Sequence, residues 1–71
     1  MNKTVKQYSY YLRYGSDIDA IGFDAQANGC EFYTKHDQVV ITIWETNPYN
    51  SWFILKYSHE FARVKTEDWI L

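Results

Sequence analysis

The chain has 71 residues, a formal net charge of −2 and one cysteine, and it is 20% aromatic against 23% charged. That length fits a single domain over residues 1–71, and the composition is too apolar for intrinsic disorder. No run approaches the ~20 apolar residues of a membrane-spanning helix, and a negative balance disfavours a surface built for nucleic-acid phosphates.

Turn signals fall at Gly15-Ser16-Asp17, Asn28-Gly29, His36-Asp37-Gln38, Thr46 to Asn50 and Ser58-His59-Glu60, leaving six stretches between them. Val5–Tyr14 alternates, with Tyr8, Tyr10, Leu12 and Tyr14 on one side and Gln7, Ser9, Tyr11 and Arg13 on the other, and reads as a strand. Ile18–Gln26 also reads as a strand, with Asn28-Gly29 as a two-residue hairpin turn. The alternative there is a helix with Ser16 as N-cap and Asp17 and Asp19 in its first turn. Ile18, Ile21 and Ala25 would form its apolar stripe, and Gly29 would end it in a left-handed conformation. Gly22 inside that helix costs roughly 1 kcal/mol against alanine.

Cys30–His36 reads as a short strand. Val39–Glu45 is the strongest strand signal in the chain, and Ser51–Tyr57 is nearly as strong, with Pro48 in the loop between them. Pairing Glu45 with Ser51 makes a hairpin that sets Trp44 opposite Trp52. One side then carries Val39, Ile41, Ile43, Phe53, Leu55 and Tyr57, and the other Val40, Thr42, Trp44, Trp52, Ile54 and Lys56. A half-exposed hairpin is ordinarily polar on one side. This one is apolar on both, so it calls for a cover: the Ile18–Gln26 segment as a helix, closure into a barrel, or another chain. Phe61–Thr66 reads as an edge strand guarded by its charges, and the apolar end Trp69-Ile70-Leu71 is expected to dock on the core or on a partner.

These elements make the chain mainly β, a single-domain antiparallel sheet or barrel of five to six short strands. The alternative is an α+β unit with one helix at 16–28 packed on a four- to five-stranded antiparallel sheet.

Reactive groups are few. Cys30 with His36 or His59 could form a thiol nucleophile and base, but no acid stands where it would orient either histidine. Cys30 reads instead as a small buried hydrophobe. Cys30, His36-Asp37 and His59-Glu60 lack a recognised metal-ligand spacing. The expectation is a non-enzyme with no cofactor and no metal. A lone cysteine and the lack of an apolar stretch in Met1–Lys6 point to the cytoplasm.

Function is then expected to be protein binding, as a small inhibitor or adaptor that occludes a larger protein, a type common among phage and mobile-element products. The residues expected to contact the partner are Trp44, Trp52, Ile54, Val40, Tyr49 and Tyr11, because aromatic anchors dominate interface energetics. Homodimerisation would bury the second hairpin side. One alternative is single-stranded nucleic-acid binding by aromatic stacking, with Tyr11 beside Arg13 or Trp52 beside Lys56. Another is acidic nucleic-acid mimicry by Asp17, Asp19, Asp24, Glu31 and Glu67-Asp68.

Overall fold

The computed structural model describes residues 3–70. Its elements are β1 (Thr4–Leu12), α1 (Ile18–Ala27), β2 (Glu31–Lys35), β3 (Gln38–Trp44), α2 (Tyr49–Tyr57), a 3-10 turn (Ser58–Glu60) and β4 (Phe61–Ile70). The strands form one antiparallel sheet in the order β2-β3-β1-β4. The crossover through α1 passes β3 to reach β2, and the crossover through α2 passes β1 to reach β4. This interleaving is the split β-α-β arrangement. It realises the α+β alternative, with four strands and, beyond the one helix expected there, a second helix where the fifth strand, Ser51–Tyr57, was expected.

Local chemistry explains each element. In β1 and β3 the alternation holds: Tyr8, Tyr10 and Leu12, with Val39, Ile41 and Ile43, face the two helices in a single core with Ile21, Ala25, Cys30 and Phe53. Residues 18–27 are helical rather than extended. Asp17, not Ser16, is the N-cap, its carboxylate accepting from the Ala20 amide at 3.3 Å. Ser16 instead donates through Oγ to Glu60 Oε2 at 2.6 Å. Asn28-Gly29 closes this helix, Gly29 at φ 80°, and makes no hairpin. The hairpin turn lies between β2 and β3, where His36 and Asp37 both adopt positive φ (50° and 61°), as a two-residue primed turn requires. Gly22 weakens the helix in isolation, yet the packing depends on it: a Cβ there would stand 2.6 Å from Cε2 of Phe32 on β2.

The larger correction concerns Ser51–Tyr57. It lies in α2, so the hairpin with Val39–Glu45 does not exist, and Trp44 stands opposite Gln7 rather than Trp52. Helix formation follows from two signals. Asn47 Oδ1 accepts from the Tyr49 amide at 3.0 Å, and Pro48, at φ −62°, is already helical and has no amide to leave unpaired. Tyr49, Phe53 and Tyr57 then recur at every fourth position and turn a single aromatic stripe inward. With the hairpin gone, the two-sided apolar surplus that self-association was expected to bury is gone as well.

Aromatic rings fill the space between α2 and the sheet. Phe53 is fully buried. Its ring lies 5.1 Å from Tyr10, 5.4 Å from Phe61 in a stacked pose, 5.8 Å from Tyr49 and 5.2 Å from Tyr57. The Tyr10 hydroxyl donates to Asn50 Oδ1 on the same helix, and burial, the largest cause, pushes its pKa up to about 12.

Phe53→Ala is expected to cost about 3–5 kcal/mol, a large part of the ~5–15 kcal/mol that holds a domain folded. Urea denaturation followed by tyrosine and tryptophan fluorescence measures it. A loss under 1 kcal/mol, on the order of a surface substitution, contradicts the central place given to this ring.

Candidate functional site

The six residues expected to meet a partner fall on two sides of the molecule. Trp52, Ile54 and Tyr49 belong to α2, above the sheet, whereas Trp44, Val40 and Tyr11 lie on the sheet face that no helix covers. The fold therefore does not bring Trp44 and Trp52 into one patch.

On α2 the inward stripe of Tyr49, Phe53 and Tyr57 dictates what points out. Trp52 (68% exposed) and Leu55 (80% exposed) lie one turn apart on the outer side, flanked by Ile54. Tyr49 is half-buried against Phe53 and belongs to the core side. A polar lock fixes the rotation of α2 against α1. Tyr57 Oη donates to Asp24 Oδ2 at 2.7 Å, and Lys56 Nζ lies 3.1 Å from the same oxygen. These contacts hold the Asp24 carboxyl below the usual carboxylate range, the Tyr57 hydrogen bond first among the causes. The Tyr49 hydroxyl is buried beside this carboxylate but completes no hydrogen bond of ordinary geometry, and burial raises its pKa. Trp52 and Leu55 are thus held outward by contacts on the opposite side of their own helix.

The uncovered sheet face shields itself. Val40 is fully buried there because Tyr33 on β2 and Tyr11 on β1 stand directly beside it in register. The Arg63 guanidinium lies 4.2 Å over the Tyr11 ring and completes this row. The next row holds Glu31, Thr42, Ser9 and Lys65, with the two hydroxyl residues buried. Beyond it Trp44 meets Trp69 edge-on at 6.0 Å. That contact gives the C-terminal Trp69 a place on the chain's own sheet, whereas Ile70 on the opposite face remains exposed and Leu71 lies outside the described residues.

The reactive groups stand apart in the fold. Cys30 is buried where α1 gives way to β2, and burial, followed by the charge of Asp24, pushes its thiol up to about 11. His36 occupies the β2–β3 turn, and His59 in the 3-10 turn lies 3.3 Å from Glu60. Among the described residues no three His, Cys, Asp or Glu side chains stand together as a metal site. A shallow cleft of about 90 Å³, lined by Asp19, Gly22, Phe23, Gln26 and Phe32, opens between α1 and β2, against the ~300–1,000 Å³ of usual ligand pockets. The acidic residues of the first half are divided among structural tasks: Asp17 caps α1 and Asp24 joins the helices. Among the described residues no helix is long and apolar enough to cross a membrane.

Leu55 and Phe23, both strongly exposed, were outside the expected set. The signal for Leu55 was its position three residues after Trp52, visible once Asn47-Pro48 is taken as a helix start. No family model, curated protein or solved structure matches the chain.

Asp24→Asn tests the helix lock. The folded-state pKa lies below the unperturbed 3.8, so the stabilisation is complete above that value and fades as pH falls through the folded-state pKa. The variant is expected to lose about 1–2 kcal/mol at pH 7 and to converge with the parent at acid pH, below the folded-state pKa. Equal deficits at both pH values would show that Asp24 acts through packing instead.

Proposed function

We propose that this chain is a non-catalytic protein-binding module that docks through the outer side of α2 and occludes the protein it binds. The observation that carries this reading is the exposed pair Trp52 and Leu55, on a helix whose rotation is fixed from behind by Phe53 and by Asp24. An indole presented on a rigid helix loses little conformational freedom on binding and offers a large apolar area, which is why tryptophan is enriched at interface hot spots. The helix-in-groove mode of recognition uses anchors at this i, i+3 spacing. A partner with an apolar groove of about one helix width is the matching surface. The buried, weakly acidic Cys30 is in keeping with a reducing cytoplasm.

A second reading rests on the uncovered sheet face, where Tyr33, Trp44 and Trp69 accompany Arg63, Lys65 and Lys35. Aromatic rings beside cations are the elements of single-stranded nucleic-acid platforms. Glu31 and Glu67 on the same face oppose it.

Trp52→Ala is expected to change stability by no more than about 0.5 kcal/mol while weakening partner binding about 30-fold, the equivalent of about 2 kcal/mol. Affinity for a partner captured by the parent protein, measured beside a denaturation curve, checks both halves. Unchanged affinity removes α2 as the docking surface. In parallel, a fluorescently labelled oligothymidylate at low salt tests the second reading. Binding that falls steeply with added salt and is lost in Trp69→Ala supports it, and no binding at low salt removes it.

A further inference from the structure

Strand β4 forms one edge of the sheet and is ten residues long, twice the length of β2 at the other edge. From Arg63 to Ile70 it pairs with β1 without interruption, the one irregularity lying at Ala62, where the register shifts. Its outer side therefore presents a long, regular row of backbone donors and acceptors, the kind of edge that proteins cap, shorten or use. Because α2 crosses between β3 and β4 above β1, the helix-side residues of β4 beyond Phe61 are left open, with Val64 48% and Ile70 70% exposed.

We infer that β4 pairs with β4 of a second copy of this chain, antiparallel about a two-fold axis through Thr66, joining two four-stranded sheets into one of eight. Charge and register along β4 favour this pairing, independently of the α2 surface. In an antiparallel pair, directly opposed side chains share a face, so a two-fold axis must pass through a residue position. Centring on Arg63, Lys65, Glu67 or Asp68 sets that charge against its own copy. Centring on Val64 opposes Arg63 with Lys65. Only Thr66, among positions 63–68, avoids like charges. There each Lys65 opposes Glu67 of the second copy, Val64 opposes Asp68, and Arg63 opposes Trp69.

Within one chain Lys65 Nζ already lies 3.7 Å from Glu67 Oε1 on the uncovered face, so pairing would gather two such ion pairs into a four-charge cluster around the axis. Arg63, whose guanidinium covers Tyr11 from one side, would meet the second copy's indole with the other. Opposite-charge cross-strand pairs stabilise and like-charge pairs destabilise, so this register is favoured over its neighbours. The charges on β4 would otherwise guard an edge against pairing. Their order along the strand makes the edge self-complementary instead.

Charge reversal tests this without disturbing the core, since Lys65 and Glu67 are surface side chains. The parent protein is expected to sediment as a dimer at about 100 μM. Lys65→Glu and Glu67→Lys should each raise the dimer dissociation constant about tenfold or more at low salt, and the double reversal should restore it to within about threefold of the parent. Denaturation curves of all four proteins confirm that the variants fold. A monomer at that concentration overturns the proposal. So does a dimer unmoved by either single reversal, including one that dissolves in Trp52→Ala and so uses α2.

Discussion

The Phe53 ring touches four other aromatic rings, on β1, on β4 and on both neighbouring turns of its own helix. A chain of 71 residues buries only ~60% of the surface it exposes when unfolded, so it cannot spread its stabilisation over many independent contacts. Concentrating ring-on-ring contacts at one point is a way around that limit, since each such pair adds about 0.5–1.5 kcal/mol beyond the area it buries. The position of α2, the tilt at which β4 leaves the 3-10 turn and the inward face of β1 all follow from seating this ring.

What the molecule shows to solvent is the complement of that seat. With Tyr49, Phe53 and Tyr57 turned inward, the helix period leaves Trp52 and Leu55 pointing out. The Asp24 carboxylate, held by Tyr57 and Lys56, stops the helix from rolling to hide them. The surface proposed for partner binding is thus a consequence of core geometry, set by the same side chains that stabilise the fold.

The sheet divides its labour differently. Under the helices its covered face is apolar through Tyr8, Tyr10, Leu12, Val39, Ile41 and Ile43, while its uncovered face is closed by its own cross-strand neighbours, Tyr11 and Tyr33 over Val40 and Arg63 over Tyr11. The longer of the sheet's two open edges is β4, where backbone groups rather than side chains face outward. The helical face with its aromatic anchor and the strand edge with its ordered charges, the two surfaces proposed for binding, differ in chemistry and lie on separate elements.

Much of this was legible in the residues alone. Period-two alternation marked β1 and β3 and assigned each residue to its correct face. Turn chemistry located every break, and the ambiguity over residues 16–28 contained the right answer in its helical form. The sequence by itself thus determined the faces of β1 and β3, the lone buried thiol and the abundance of aromatic side chains. It misassigned Ser51–Tyr57 as a strand, because Trp52-Phe53-Ile54-Leu55 is a continuous apolar run that fits a strand as well as the helix it forms. Local preference for aromatic and β-branched residues favoured the strand; the Asn47-Pro48 start and the seat for Phe53 between Tyr10 and Phe61 favoured the helix, and the second pair of effects is the larger. Only the tertiary structure decided that, and with it the separation of Trp44 from Trp52. Those two indoles are eight residues apart in the chain, but the first ends a strand and the second lies on a helix, and which side of that helix meets the sheet is a matter of packing that no local pattern encodes.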